Sequence, residues 1–233
     1  MEIKIKSSNQ FNGLLNSLAG EIIDGECYFK LHEDLITAIP DYEEVYNQSN
    51  TFWSLTTKAL LDATLSRLCR VYDQHSNSLS LCNLLDTIEA NLEIFDTENF
   101  KERLQDNPFV RSLAQTARRP NADTLKQDMQ SANDTDPLVK KLVIWRNSIL
   151  AHKTATVVVK QIDITKNYPI SRDDISLLLS RATAILNGYS GLFRASTYLT
   201  QIIGHDDYLY ILETIKEIIR KYKEGRDSII ART

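Results

Sequence analysis

The chain has 233 residues, 42% of them apolar, enough for one sizeable core or for one domain with an appended lobe. Its formal charge of −4 provides no protein-wide positive field to draw in nucleic acid, so any such contact needs a local patch. Seven Gly and five Pro are few, while Leu, Ile, Ala, Lys, Glu and Asp are plentiful, and the composition leans to helix.

In chain order, Phe11 to Ile23 carries apolar residues at helical spacing and stops at Asp24-Gly25. Cys27 to Ile39 repeats the pattern and ends before Pro40. Residues 41–72 form the longest periodic segment, with Trp53, Leu60, Leu65, Leu68 and Tyr72 on one wide apolar face and no internal Gly or Pro. A helix of about 30 residues spans roughly 45 Å and would be the spine of a bundle. Ser76-Asn77-Ser78 breaks it, and Leu79 to Leu92 forms the next helix. Residues 93–135 hold short candidate helices at 98–104, 109–117 and 122–130, divided by Asn107-Pro108 and Arg119-Pro120. This insert is either a lid over the bundle or a link between its halves.

Asp136-Pro137 is an N-cap followed by Pro at the first helical position, and Leu138, Leu142, Trp145 and Ile149 then form one buried stripe. The β-branched run from Thr154 to Ile164 is the one stretch that argues for a short extended arm. Ser171 with Asp174 resembles a capping box opening a long helix to about Leu199, and a last helix covers roughly Tyr208 to Tyr222. The fold expected is all-α: an up-and-down bundle with two long antiparallel helices, a short irregular helical insert and one short extended arm, in a single domain over 1–233.

Cys27, Cys69 and Cys82 are odd in number and lack CxxC spacing, as expected of buried free thiols in a reducing compartment. The first six residues alternate charge and do not read as a signal peptide, and no run approaches the ~20 apolar residues of a membrane helix. A soluble cytoplasmic protein is the expectation. GxxxxGK[ST], GxGxxG, GxSxG and HExxH are all absent, so no cofactor and no metal site is expected. His205-Asp206-Asp207 reads as a helix start, and His32 and His75 as isolated, exposed side chains.

Three groups of cations are candidate patches: Lys140, Lys141, Arg146 and Lys153; Arg111, Arg118 and Arg119; and Lys216, Arg220, Lys221, Lys223 and Arg226. The last also reads as a solvated face at a helix C-terminus. Arg67, Arg70 and Asp73, three apart along one helix, are either a structural charge cluster or a support for a catalytic cleft.

Chemistry concentrates in Arg146-Asn147-Ser148-Ile149-Leu150-Ala151-His152, where a cation, a titratable imidazole and small polar groups gather near a helix end. In a straight α-helix His152 lies about 9 Å further along the axis than Arg146 and some 120° round, so the two do not touch, whereas Ser148 and His152 share a face. Either a second copy completes the site or the residues are unrelated. A surface arginine and a histidine favoured at a helix C-terminus remain the simpler reading of the residues alone.

Arg146, the polar Asn147 beside it, and His152 after four more residues, on the next-to-last long helix of an α-bundle, resemble the signature of the HEPN superfamily. The segment 59–68 with Asp73 after it, and Leu177-Leu178-Leu179 leading to Ile185-Leu186-Asn187-Gly188-Tyr189-Ser190, resemble the AbiU-type abortive-infection branch. The likeness covers about residues 40–200. It implies a metal-independent endoribonuclease of a toxin–antitoxin or abortive-infection system, acting on RNA as a homodimer and leaving 2′,3′-cyclic phosphate ends. His152 would be the acid–base group, Arg146 would hold the scissile phosphate, and Asn147 would orient one of them. Ser148, Lys153 and Arg67 are the neighbouring candidates for holding substrate. A cognate antitoxin is a further partner the resemblance raises. Where toxins of this kind pair with a nucleotidyltransferase antitoxin, a tyrosine commonly follows two positions after the histidine; here that position is Thr154, which puts such a modification site in doubt. Two alternatives stand beside the nuclease: a non-catalytic HEPN-like module binding RNA or a protein partner, and an unrelated structural bundle.

Overall fold

The computed structural model describes residues 2–150, 155–200, 204 and 206–230, the side chains of residues 156 and 227–230 excepted. Its helices are, in order, α1 (Ser8–Ala38), α2 (Glu43–Gln48), α3 (Asn50–Val71), α4 (Leu81–Ala90), α5 (Thr97–Arg103), α6 (Val110–Leu113), α7 (Ala122–Ala132), α8 (Pro137–Trp145), α9 (Ala155–Val159), α10 (Ile164–Asn167), α11 (Arg172–Arg194) and α12 (Asp207–Ile230). Short 3₁₀ turns cover Ile39–Tyr42 and Leu92–Phe95, and no strand occurs among the described residues. The fold is all-α.

Local capping accounts for the clearest starts. Asp136 accepts hydrogen bonds from the Leu138 and Val139 amides with Pro137 at the first helical position, so α8 begins where its sequence says. Ser171 and Asp174 form a reciprocal capping box at the head of α11, and Ala195 ends that helix in the left-handed conformation at φ 52.

The chain divides into two compact units, the first made of Met1–Gly25 with Leu65–Thr200 and the second of Glu26–Thr64 with Gln201–Thr233. In the first, Asn12 meets Arg194 while Gly25 meets Leu179, so α1 runs antiparallel to α11. Glu21 pairs with Arg70 and Gly25 abuts Arg67, so α1 also runs antiparallel to the end of α3. The core between them holds Leu15, Leu18, Leu84, Leu85 and Leu178, each fully buried and worth about 1.5–3 kcal/mol of transfer free energy. Phe11, Phe95 and Phe193 pack edge to face with centroids 4.8 to 5.9 Å apart. The insert belongs to this core: Phe95 and Phe100 are fully buried, and α7 packs along α4. The second unit gathers Leu35, Tyr42, Val45, Tyr46, Trp53 and Leu212, with Tyr46 stacked 5.0 Å from Trp53.

Several expectations change. Asp24-Gly25 does not stop a helix, because α1 continues through it for 31 residues. A Cβ at Gly25 would lie 3.2 Å from Leu179 Cδ2 and 3.4 Å from Arg67 Cβ, so the glycine serves close helix packing. The expected spine over 41–72 is interrupted at Ser49, whose φ of −141 leaves the helix; α3 is 22 residues, about 33 Å long. Gln48-Ser49-Asn50 are polar side chains that compete with helical hydrogen bonding, which supplies a break without Gly or Pro.

The extended arm is replaced by α9 and α10: with no partner strand among the described residues, a helix satisfies the backbone locally. His32 is buried rather than exposed, its Nδ1 lying 2.9 Å from the Thr57 carbonyl oxygen, whereas His75 is exposed as expected. Of the three free cysteines only Cys69 is buried; Cys27 and Cys82 are half-buried.

Candidate functional site

The helix that begins at Pro137 changes register where the motif starts. After Trp145 it becomes π-helical over Arg146–Leu150. A π turn bonds i to i+5 and carries more residues per turn than an α-helix, so side chains after Trp145 rotate out of the preceding stripe. Leu138 and Leu142 are buried, Trp145 is half-buried and Ile149 is 39% exposed, so the expected four-residue stripe ends after three. The π turn thus replaces α-helical geometry over Arg146–Leu150, and the expected placement of His152 relative to Arg146 and Ser148 lies outside the described residues. The Trp145 indole N–H donates to the Tyr168 carbonyl oxygen at 2.6 Å and ties the chain beyond the motif back to α8.

Arg146 is half-exposed and its Nη1 donates to Asp73 Oδ1 at 2.9 Å. Asp73 sits just beyond α3, 9% exposed, and the same oxygen accepts the His75 amide at 3.0 Å. The loop that carries it is fastened by the buried Asn83 on α4, whose amide donates to the His75 and Ser78 carbonyls at 2.8 Å each. Asn147 is exposed and Ser148 half-buried on the π turn. Ala151, His152, Lys153 and Thr154 lie outside the described residues, as does His205.

Arg67 is committed elsewhere, its guanidinium reaching Glu21 and Asp24 of α1 at 2.9 Å each. Arg70 reaches the second oxygen of Glu21 at 2.7 Å. Partial burial pushes the Glu21 carboxyl up, but the hydrogen bonds and charges of Arg70 and Arg67 outweigh it and hold the group below its ordinary value. A pocket of about 310 Å³ opens beside this cluster, lined by Ser17, Glu21, Arg70, Asp73, Ser78 and Leu79. Among the described residues no cluster of three His, Cys, Asp or Glu side chains could hold a metal ion.

The other cation groups are largely internal or paired. Arg118 is buried, donating to the Leu113 and Gly191 carbonyls with its guanidinium 4.3 Å over Phe100. Arg119 pairs with Asp96, and on α12 Arg220 and Lys221 pair with Glu217 while Lys223 pairs with Glu44. Lys141 lies 3.9 Å from Asp174. Carboxylates within reach of Arg119, Lys141, Arg220, Lys221 and Lys223 weaken the long-range pull of these cations on a polyanion.

The family model of HEPN AbiU2 matches residues 8–223. The chain belongs to the HEPN AbiU2 family. No curated protein and no solved structure matches it. The match extends well beyond the 40–200 likeness read from the sequence and takes in α1 and most of α12, making the chain a HEPN module of the abortive-infection type. No helix among the described residues is long and apolar enough to cross a membrane.

Within this HEPN chain, Arg146, Asn147 and Ser148 share one π turn, whereas Arg67 stands with Glu21 and Asp24. The Arg67, Arg70 and Asp73 series divides: the two arginines bind carboxylates of α1, and Asp73 alone reaches the motif. The signal for Asp73 was a carboxylate at the end of a long helix, but its partner is 73 residues away and no spacing rule joins them.

Proposed function

We propose that this HEPN chain is a metal-independent endoribonuclease of an abortive-infection or toxin–antitoxin system, working in the cytoplasm as a homodimer whose two motifs face one cleft. The observation that carries the reading is the π-helical opening at the Arg146 end of the motif, since such interruptions recur at functional sites. Five large apolar side chains flanking the motif, Ile149, Val158, Val159, Ile162 and Tyr168, are exposed, which favours a second copy covering them.

RNA carries its own nucleophile. The ribose 2′-hydroxyl gives up its proton as its oxygen attacks phosphorus, the bond to the 5′-oxygen breaks, and that oxygen takes a proton, leaving a 2′,3′-cyclic phosphate. His152 serves these transfers because imidazole titrates near pH 6.5 and exchanges protons at neutral pH. Arg146 offsets the charge growing on the phosphate, and Asn147 orients one of the two groups. Positioned acid–base catalysis is worth about 10²–10⁴ and a preorganised cationic clamp about 10²–10³, a modest enzyme suited to growth arrest. Ser148 and Lys153, next to Asn147 and His152 in the sequence, would hold substrate. Arg67 contributes to RNA binding by exchanging Asp24, which is more exposed than Glu21. A cognate antitoxin would act by covering or modifying this region.

Incubating the protein with RNA in EDTA should yield fragments ending in 2′,3′-cyclic phosphate, and His152→Ala should abolish them. RNA left intact by folded protein, but retained in a binding assay, would favour the non-catalytic module instead.

A further inference from the structure

We propose that Asp73 is a positioning residue for Arg146: it anchors one prong of the guanidinium and presents the other edge to a phosphate. This rests on the reading of Arg146 as the phosphate clamp. A guanidinium is a rigid planar fork of five N–H donors, and its grip on a phosphate is strongest when two donors on one edge engage together. Asp73 takes only Nη1, at 2.9 Å. Among the described residues, Nε and Nη2 of Arg146 carry no hydrogen bond, so the Nε–Nη2 edge is left open for two parallel contacts.

The anchor itself is stiff. Asp73 is buried, its Oδ1 also accepts the His75 amide, and its own amide donates to the Arg70 carbonyl at 3.3 Å. Asn83 fixes the two carbonyls of the following loop, so the carboxylate sits on a braced turn rather than on a free side chain. Arg146 by contrast is a long, half-exposed side chain at the first residue of a π turn. A long, rotamer-rich cation on such a turn needs a second attachment to hold a bidentate edge in place, and groups misplaced by an ångström lose about a hundredfold in rate. The Asp73 carboxylate also offsets part of the guanidinium charge, and Asp73→Asn, which keeps an accepting oxygen without the charge, separates that effect from positioning.

The test is single-turnover cleavage of RNA in EDTA by wild type, Asp73→Ala, Asp73→Asn, Arg146→Ala and the double variant Asp73→Ala with Arg146→Ala. Asp73→Ala should lower the rate at saturating RNA by about 10- to 100-fold, the loss falling on kcat more than on KM. The double variant should be no slower than Arg146→Ala alone, because a positioning residue has nothing left to position. Asp73→Asn, which keeps the accepting oxygen, should stay within about tenfold of wild type. Should circular dichroism show Asp73→Ala unfolded, the same comparison is made with the near-isosteric Asp73→Leu, which also removes the accepting oxygen, singly and on the Arg146→Ala background. A wild-type rate in the variant that removes the accepting oxygen, or a loss that adds in full to that of Arg146→Ala, overturns the proposal while leaving the nuclease reading intact. RNA left whole by wild type itself overturns both.

Discussion

Arg103 holds Phe193 twice: its guanidinium lies 3.8 Å over the ring, and its Nε and Nη2 donate to the carbonyl oxygen of the same residue at 3.1 and 2.6 Å. It satisfies the Phe193 carbonyl, which the last turn of α11 would otherwise leave without a partner, while Arg118 adds a second donor to the Gly191 carbonyl that already accepts the Ala195 amide. Burial pulls the Arg103 guanidinium down to about 10, so it remains charged at neutral pH. Arg103→Ala should cost about 2 kcal/mol and lower Tm by about 4–8 °C in thermal unfolding followed by circular dichroism. Arg103→Lys should recover little, because an ammonium has neither the fork nor the planar face.

Gly25 sets how closely α1 approaches α3 and α11. Gly25→Ala should be near neutral, since a helix-propensity gain of about 1 kcal/mol meets a tight Cβ contact with Leu179. Gly25→Leu should lose about 1–3 kcal/mol by overpacking. Urea unfolding of the two variants separates the effects; equal stabilities would show that the helices yield freely.

Tyr42 donates its phenolic proton to Glu213, and this hydrogen bond, more than burial, pushes its pKa up to about 12 from an ordinary 10.0. The folded state therefore favours the protonated phenol. The stabilisation is complete below pH 10 and is lost as pH rises through 12. Between those values wild type should lose stability more steeply than Tyr42→Phe in pH-dependent denaturation, and parallel curves would refute the link.

Burial pushes the Cys69 thiol up to about 12, and the side chain is 6% exposed. Under native conditions at pH 8, alkylation followed by mass spectrometry should label Cys27 and Cys82 before Cys69.

Val159 is 81% exposed in a helix beside the motif. If a second copy covers it, Val159→Asp should convert a dimer to a monomer in light scattering and reduce RNA cleavage, while leaving helical content unchanged. A monomeric wild type would remove the dimer from the proposed mechanism.

Features legible in the sequence were those whose cause lies within a few residues. Asp136-Pro137 and Ser171 with Asp174 announced α8 and α11 because a cap is satisfied locally. Gly25 was misread because its reason is Leu179, 154 positions away, and His32 because its partner is the Thr57 carbonyl. The run after Thr154 carried strand composition, yet composition is a weak prior when nothing pairs with the strand. The motif residues were visible as types, but the π turn beneath Arg146 and its bond to Asp73 follow from packing that spacing does not encode.

A π turn holds one residue more than the α turn it replaces. The stretch Arg146–Leu150 is thus a place where the chain carries slack, and losing one link there would let the coil tighten to ordinary α form without displacing the capped, buried start of α8. Deletions elsewhere in α8 would rotate Leu138 and Leu142 out of the core. The buried start of α8 is therefore least disturbed by a one-residue deletion at the motif, yet the same deletion would re-space His152 from Arg146 and should cost the proposed chemistry.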